Sequence, residues 1–383
     1  MAPKGIKFLH CADIHLDIPF CDHGKEGYSE MRKQDVRKTF EGIIKLSREE
    51  KVDFVLISGD LYEHGYTSKS SVEWIESLLR SLSVPVVIIP GNHDPFVANS
   101  WYAIREWPEN VIVLSNEHPS IKFNSLNTFI YGIGFSAFRQ DKPDLSGVSR
   151  PDPDCFNILL LHGTLDMDIG KPYNPVTSLE LGAMPYDYYA LGHFHNRITD
   201  FKLKNAVNPG SPEPLGFDEK GPHGVLIVTL ELSDTGEKSL KMEERNIAQR
   251  EYVEFALDIT QCKSVDEIRQ RIADLLKDTD AERDLVRIIL KGRAGCEIDC
   301  EALEESFLAG RRYFKIRNET RLSFNYEALV MEETLKGAFV RELLLRIKRC
   351  EENGDDVNLP ILTAALDFGT EALEYGRIDT RID

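Results

Sequence analysis

Up to about residue 245, the chain alternates between short apolar runs and polar, turn-forming stretches. The runs are typical of buried strands, and the first three are separated by segments with apolar positions at helical spacing. The apolar runs are Ile6–Leu9, Phe54–Ile57, Val86–Ile89, Val111–Leu114, Phe129–Ile133, Ile158–Leu161, Tyr188–Leu191 and Val225–Leu230. The helical positions are Val36, Phe40, Ile43 and Ile44, and then Val72, Ile75, Leu79 and Leu82. This opening predicts an α/β fold, or layered sandwich, with parallel central strands.

The pattern starts again near residue 251. Strands are predicted at 252–259, 285–292 and 313–318, with helices at 264–276 and 300–308. Two more helices follow, separated by the helix-breaking segment ENGDDVNLP. We therefore expect a first domain over residues 1–248, a small α+β domain over 249–325 and a C-terminal helical region over 326–383.

Charge and cysteine content narrow the classes of function. The formal net charge is −18, from 46 basic and 64 acidic residues among 383, so binding of a polyanion would need a local basic patch or metal ions. The seven cysteines form no CxxC pair, which argues against a disulfide framework or a zinc ribbon. The N-terminus lacks the apolar region of a signal peptide, and no segment reaches the roughly 20 apolar residues of a membrane span. We expect a cytoplasmic protein that does not enter a membrane.

Polar side chains follow five of the apolar runs directly. In α/β folds such strand ends often lie together at one edge of a sheet, where sites are built. Each motif alone is compatible with an ordinary turn or a core histidine, but their joint occurrence on strand ends favours a shared site. The residues are Asp13 and His15, then Gly59 and Asp60, then Asn92, His93 and Asp94, then His162, and finally His193 and His195.

The residue types indicate metal chemistry. Aspartate, asparagine and histidine ligands without thiolate suit Mn²⁺, Fe²⁺ or Zn²⁺. Two ions roughly 3.5–4 Å apart can stabilise the attacking and the leaving oxygen of a phosphoryl displacement. A lone aspartate among several histidines, such as Asp60, fits a ligand shared by both ions.

The motifs DIH, GD, GNHD, LHG and GHFH, in this order, resemble the signatures of the calcineurin-like metallophosphoesterases. The match is closest to the SbcD-type DNA-repair exonucleases, including their YhaO-like branch. It covers residues 6–230, and the block from Asn208 to Phe217 with the glycine-led strand after it is also similar to these nucleases. The resemblance implies a four-layer α/β/β/α sandwich with a smaller α+β capping domain and C-terminal helices.

The resemblance also implies roles for individual residues. One ion would be bound by Asp13, His15 and His195, and the other by Asn92, His162 and His193, with Asp60 bridging them. His93 would donate a proton to the leaving oxygen or stabilise charge in the transition state. Asp94 would orient His93.

One position departs from the family pattern. Many of these nucleases have a histidine or aspartate three residues after the bridging aspartate, whereas this chain has Glu63, followed by His64. We expect Glu63 or His64 to lie near the substrate phosphate, although a solvated loop histidine is the ordinary case. The two arginines that Ser/Thr phosphatases carry near the second and third motifs are missing, which disfavours a phosphoprotein phosphatase.

The C-terminal part is expected to serve DNA and a partner. In the resembled family a small domain caps the nuclease site and helps to hold DNA, and C-terminal helices dock an SbcC-like ABC ATPase with coiled-coil arms. Homodimers are also frequent in that family. A cluster of basic residues in the expected cap either contacts DNA phosphates or is an ordinary charged strand. It consists of Arg311, Arg312, Lys315 and Arg317.

A helical stripe near the C-terminus has two interpretations. Leu335, Phe339, Leu343 and Ile347 recur at four-residue spacing. Such a stripe docks a partner helix or packs within its own domain.

Our first hypothesis is a metal-dependent DNA exonuclease that acts at DNA ends in repair, with endonuclease activity as an extension. Manganese is the expected metal, and Fe²⁺, Zn²⁺ and Mg²⁺ are the alternatives. A second hypothesis is a phosphodiesterase or phosphatase for small nucleotides, since the same motifs serve both. A third is a DNA-end-binding or ATPase-associated module with a non-catalytic metal site.

Overall fold

The structure is a computed structural model that describes residues 4–21, 27–167, 173–296 and 298–376. The chain divides into two units, Met1–Tyr252 and Val253–Asp383. The predicted boundary near residue 248 lies close to this division, and the further division at residue 325 stays a prediction. No helix in the described ranges is both long and apolar enough to cross a bilayer.

The first unit contains two sheets. The six-stranded sheet has the order β11-β10-β1-β2-β3-β4, and the five-stranded sheet has the order β5-β6-β7-β8-β9. The strands are β1 Gly5–Cys11, β2 Phe54–Ser58, β3 Val86–Ile89, β4 Val111–Val113, β5 Ser120–Phe123, β6 Thr128–Ile133, β7 Phe156–His162, β8 Tyr188–Gly192, β9 Ala206–Val207, β10 Gly224–Leu232 and β11 Lys238–Asn246. The helices are α1 Tyr28–Glu49, α2 Lys69–Arg80, α3 Trp101–Ile104 and α4 Ser178–Gly182.

The central strands of both sheets are parallel, as predicted. Strands β1 to β4 pair in parallel, and so do β6 to β9, while β10 and β5 pair antiparallel to their neighbours. Parallel strands are covered on both faces, which explains why these runs are apolar throughout rather than alternating. On β1, Phe8 packs between the two sheets and Leu9 packs toward the helices.

The four predicted layers are present. Helices α1 and α2 cover the outer face of the six-stranded sheet through Phe40, Ile43 and Ile75. The outer face of the five-stranded sheet is covered by Leu181 of α4 and by loop residues such as Phe201. This fourth layer is therefore mostly loop with one short helix, and the α/β/β/α sandwich is confirmed.

A buried histidine joins the two sheets. His10 of β1 accepts a hydrogen bond at Nδ1 from the Tyr188 hydroxyl at 2.9 Å and donates from Nε2 to the Leu191 carbonyl at 3.1 Å. Burial lowers the pKa of His10 from 6.5 to about 3, against the opposing effect of the hydrogen bond to Leu191. The imidazole therefore stays neutral in the folded protein at any physiological pH.

We expect His10 to make the metal-free protein acid-sensitive. The unfolded chain binds a proton at this residue below pH 6.5 and the folded chain does not, so stability is fully present above pH 6.5 and falls as the pH drops toward 3. The loss is about 1.4 kcal/mol per pH unit. Urea unfolding at pH 7 and pH 5 should show a smaller pH dependence in His10→Gln than in the wild type. Equal dependence in both proteins would contradict this assignment.

The second unit combines a three-stranded sheet with helices. The sheet has the order β12-β13-β15, with β13 and β15 parallel, and a separate pair is formed by β14 and β16. The strands are β12 Glu251–Asp258, β13 Asp284–Lys291, β14 Arg293–Ala294, β15 Tyr313–Asn318 and β16 Arg321–Leu322. The helices are α5 Val265–Leu275, α6 Cys300–Leu308, α7 Tyr326–Val330, α8 Leu335–Asn353 and α9 Asn358–Tyr375.

The predicted stripe on α8 packs mainly inside its own unit. Phe339, Leu343 and Ile347 belong to the apolar cluster that α8 forms with α7 and α9, whereas Leu335 is 76% exposed. Helix α8 ends at Asn353 and is followed by the capping residue Gly354, which adopts the left-handed conformation typical of that position. Intramolecular packing is thus the main role of the stripe in this structure.

Candidate metal centre

The predicted site residues of the first unit meet at one edge of the sandwich. Asp13, Asp60 and Asn92 follow β1, β2 and β3 of one sheet, while His162 ends β7 and His193 follows β8 of the other. Because the carboxyl ends of parallel strands lie at the same edge of a sheet, each sheet contributes its polar residues there. The face-to-face packing of the two sheets brings both sets together.

A first group of donor atoms is formed by Asp13, His15 and His195, whose ligand atoms lie within 4.8 Å of one another. The Nε2 atoms of His15 and His195 are only 3.1 Å apart. The opposite ring nitrogens are held by carboxylates, at 2.8 Å from His15 Nδ1 to Glu63 and 2.7 Å from His195 Nδ1 to Glu219. Both Nε2 atoms therefore face a common space with Asp13.

A second group surrounds the Asn92 side chain. Its Oδ1 atom lies 3.1 Å from His162 Nε2 and 3.1 Å from His193 Nδ1. His162 Nδ1 donates a hydrogen bond to the Ser58 carbonyl at 2.7 Å, which directs Nε2 of the ring toward Asn92. Three donor atoms thus converge next to the first group.

Asp60 stands between the two groups and is 1% exposed. Its Oδ2 atom is 3.6 Å from His15 Nε2 and 3.3 Å from His162 Nε2. Its Oδ1 atom accepts a hydrogen bond from the His93 amide at 2.8 Å. The carboxylate thereby occupies the position that a shared ligand needs.

The electrostatics of the site depend on imidazoles facing buried carboxylates. Burial raises the pKa of Asp13. For Asp60 burial acts in the same direction, but the charge of His162 and its hydrogen bond lower the pKa below its usual range. Burial lowers the pKa of His162, yet the charge of Asp60 raises it to about 9. Burial also lowers the pKa of His195, but the hydrogen bond to Glu219 and the charge of Asp13 raise it to about 9. In the described ranges, no lysine or arginine forms an ion pair with Asp13 or Asp60, so positive charge there comes from histidines.

The backbone of the site is unusual. Asp13 and His15 have φ values of 53° and Asp60 has 52°, a left-handed region that non-glycine residues rarely occupy. Such conformations persist where surrounding structure enforces them, and they cluster at functional sites. Glycine is required at position 91, because a Cβ atom there would lie 2.1 Å from Asp60 Oδ1. The loops therefore pack closely enough to exclude side chains between the donor groups.

His93 lies beside the donor groups, and its side chain is 43% exposed. Its Nδ1 atom is 3.0 Å from Glu63 Oε2, while the other Glu63 oxygen binds His15. Burial lowers the pKa of His93, but the hydrogen bond to Glu63 and the charge of Asp60 outweigh it, so the pKa is raised overall. Glu63 therefore connects a histidine of the donor group to the histidine predicted to do chemistry.

The prediction that Asp94 orients the His93 ring is corrected by these contacts. Asp94 is fully buried, and its carboxylate accepts hydrogen bonds from the amides of Asp60, Leu61 and Gly91 and from the Tyr102 hydroxyl. Burial and the charge of Asp60 raise the pKa of Asp94 to about 6. Asp94 thus holds together the loops that carry Asp60 and Asn92, because it satisfies backbone amides rather than the imidazole.

Glu219 is a supporting residue that the sequence motifs do not identify. It is 4% exposed and accepts hydrogen bonds from His195 Nδ1, the Ser211 hydroxyl at 2.8 Å and the Leu215 amide at 2.9 Å. Its neighbours Asp218 and Lys220 give the segment the pattern of a solvated turn. The only sequence signal is its place between the Asn208–Phe217 block and the glycine-led strand, both of which are similar to the nucleases.

We expect Glu219→Gln to weaken Mn²⁺ binding by about 10–100-fold, because a carboxylate behind a ligating histidine fixes its tautomer and increases its basicity. Calorimetric titration of the metal-free protein measures this. The matched control is Glu237→Gln, an exposed residue in the turn between β10 and β11. Unchanged affinity in Glu219→Gln would show that His195 needs no such support.

The remaining predicted residues lie apart or are already paired. His64 donates its backbone amide to the His93 carbonyl at 3.0 Å, but its ring packs against Phe138 rather than the donor groups. In the second unit, Arg312, Lys315 and Arg317 pair with Glu282, Glu304 and Glu319. Arg311 donates to the Leu276 carbonyl. The charge of this cluster is largely balanced, and its contact with DNA phosphates stays a prediction.

Comparison with known proteins agrees with this geometry. Residues 6–197 match the calcineurin-like phosphoesterase family. The uncharacterized metallophosphoesterase YhaO of Bacillus subtilis is 28% identical over 76% of this chain and 72% of its own length. The DNA double-strand break repair protein Mre11 of Sulfurisphaera tokodaii is 26% identical over 75% of this chain and 74% of its own. The protein of the same name from Archaeoglobus fulgidus is 25% identical over 97% of this chain and 87% of its own.

The family match extends over the five motifs and half of the chain. The chain therefore belongs to the calcineurin-like phosphoesterase family, a class of metal-dependent phosphoester hydrolases. Its donor groups suit that chemistry, since they contain buried oxygen and imidazole ligands without thiolate.

Proposed function

We propose that the protein is a metal-dependent DNA exonuclease that hydrolyses phosphodiester bonds at DNA ends during repair. The observation that carries the proposal is the position of Asp60 between two converging donor groups, with His93 beside them. The relatives named for double-strand break repair support DNA as the substrate.

Two groups of residues would hold the ions. Asp13, His15 and His195 form one, Asn92, His162 and His193 form the other, and Asp60 belongs to both. Two divalent ions bound there would supply the charge that activates a water molecule and neutralises the phosphodiester. Manganese is our expected metal because the donor set is mixed oxygen and imidazole, and Fe²⁺, Zn²⁺ and Mg²⁺ remain alternatives to test.

His93 would supply the proton for the leaving oxygen. The Glu63 hydrogen bond holds its Nδ1 atom, so Nε2 is the nitrogen that would donate to the leaving oxygen. Burial lowers the pKa of the ring, but the hydrogen bond to Glu63 and the charge of Asp60 raise it overall, which favours the protonated form that a proton donor requires. Glu63 would thus act through His93, and its own approach to the substrate phosphate stays a prediction.

We also propose that the protein works with an SbcC-like ABC ATPase and forms homodimers, as the family resemblance implies. The C-terminal helices support a partner surface because several large apolar side chains there are exposed. They are Met331 at 81%, Leu335 at 76%, Val357 at 76% and Ile361 at 62%. A contiguous exposed apolar surface is typical of an interaction site, and these side chains would contribute to one.

The test is manganese-dependent degradation of end-labelled linear duplex DNA by the purified chain. Bis-p-nitrophenyl phosphate and a cyclic nucleotide serve as parallel substrates. Shortening of DNA from its ends supports the exonuclease. Turnover of small diesters alone would favour the small-nucleotide phosphodiesterase. Absence of turnover with Mn²⁺ or Mg²⁺, also after addition of the ATPase, would favour the non-catalytic module.

A further inference from the structure

A cavity of about 210 Å³ lies in the first unit near the donor groups. Its walls are apolar and come from Pro90 after β3, Phe96, Leu114 after β4, and Phe135 after β6. It therefore lies at the same edge of the sandwich as the candidate metal centre. Cavities for drug-sized ligands usually measure about 300–1,000 Å³, so this one suits a single ring system.

The mouth of the cavity is polar and acidic. Ser115, Asn116, Glu117 and Ser136 line it, and the last three are exposed. Among the described residues that line the cavity, none is a lysine or an arginine. A carboxylate without a cation repels a phosphate but accepts hydrogen bonds from N–H groups. The cavity thus suits a neutral ring that carries N–H donors.

Direct contacts connect the cavity to the donor groups. The Phe135 ring lies edge-on to the His162 ring with 5.7 Å between centroids, and the Phe135 amide donates to the Pro90 carbonyl at 2.9 Å. Pro90 is two residues before Asn92 along the chain. Phe135 therefore both lines the cavity and packs against His162 of the second donor group.

The segment after the cavity approaches the loop of His93. Phe138 is 51% exposed and two residues from Ser136. Its ring contacts the His64 ring at 5.4 Å between centroids, and the His64 amide binds the His93 carbonyl. The exposed Phe138 ring therefore lies between the cavity mouth and the loop that carries His93. In this position it can stack on a base.

We propose that this cavity binds the unpaired base of a nucleotide next to the scissile phosphate. The inference rests on the proposed function and adds the substrate class: a DNA strand that is single or unpaired at the point of cleavage. Apolar walls stack against the faces of the base, while Glu117 and Asn116 hydrogen-bond its polar edge. A base paired inside a duplex does not enter such a cavity until it leaves the stack.

The experiment measures the turnover of substrates with and without a base, by the wild type and by the variant Ser136→Trp. The indole of this variant would cover the cavity mouth. The substrates are a dinucleoside monophosphate, its two analogues that each lack one base, and methyl p-nitrophenyl phosphate, which has none. The control is Leu179→Trp, at a position that is 86% exposed on α4. Manganese is present throughout.

We expect Ser136→Trp to lower kcat/KM for the dinucleotide, relative to methyl p-nitrophenyl phosphate, by at least about tenfold. Removing the base that occupies the cavity should lower wild-type turnover by a similar factor. On that analogue, Ser136→Trp should be nearly as active as the wild type. The control should behave like the wild type on every substrate.

The outcomes separate this inference from the proposed function. The base-binding cavity would be overturned if the kcat/KM for the dinucleotide relative to methyl p-nitrophenyl phosphate were the same in wild type and Ser136→Trp. Equal turnover of the dinucleotide and its two analogues would also overturn it, while hydrolysis itself persisted. No hydrolysis of any diester by the wild type would instead overturn the proposed function and the inference with it. Faster cleavage of fully paired duplex than of single strands would also contradict an unpaired substrate.

Discussion

Replacing Asp60 with asparagine is expected to abolish hydrolysis and to reduce the number of bound manganese ions below two. Asp60 lies 3.6 Å from His15 Nε2 and 3.3 Å from His162 Nε2, so its charge belongs to both donor groups. Removing one member of a buried charged pair costs about 3–5 kcal/mol, or roughly 10²–10⁴-fold in affinity. Metal analysis of the dialysed protein and the DNA degradation assay measure the two effects.

The same strand offers a matched control. Asp53 lies directly before β2, whereas Asp60 lies after it. The Asp53 carboxylate accepts a hydrogen bond from the Lys7 amide at 2.7 Å, away from the donor groups. Asp53→Asn should therefore bind two ions and hydrolyse DNA at the wild-type rate. Full activity with two ions in Asp60→Asn would show that the two groups do not share this ligand.

Sequence patterns are most informative where side chains directly follow buried strands. The shared edge of Asp13 and Asp60 is predictable from the chain because β1 and β2 are parallel neighbours in one sheet. His162 belongs to the other sheet and joins them only through the packing of the two sheets. Periodicity fails at β11, whose sequence KSLKMEERN is too charged to suggest a strand. Strand β11 lies at the edge of the sheet, where its side chains need little burial. It is held by backbone hydrogen bonds to β10, which the apolar pattern of the sequence does not reveal.

The supporting carboxylates are harder to predict than the candidate ligands. Glu219 is 24 residues from His195 in sequence, and no local pattern relates the two. Asp94 is adjacent to His93, yet neighbouring side chains can point apart. The Asp94 carboxylate accepts hydrogen bonds from the amides of Asp60 and Leu61 instead. Which carboxylate contacts which imidazole depends on loop geometry, and spacing along the chain does not encode it.

Removing the His93 imidazole should lower the rate without removing the ions. His93→Ala is expected to reduce kcat for DNA by about 10²–10⁴-fold, the usual contribution of a positioned proton donor. The two proposed donor groups do not include the His93 ring, which is hydrogen-bonded to Glu63 and has a side chain that is 43% exposed. Metal analysis should therefore find two manganese ions per chain, in contrast to Asp60→Asn.

The leaving group distinguishes the two roles considered for His93. A nucleoside alkoxide needs a proton as it departs, whereas p-nitrophenolate is stable without one. If His93 donates the proton, His93→Ala should lose far more activity on DNA than on bis-p-nitrophenyl phosphate. Similar losses on both substrates would instead mean that the ring stabilises charge on the phosphoryl oxygens, because that charge develops whichever group leaves. Loss of the ions in His93→Ala would contradict both roles and make the ring part of the donor groups.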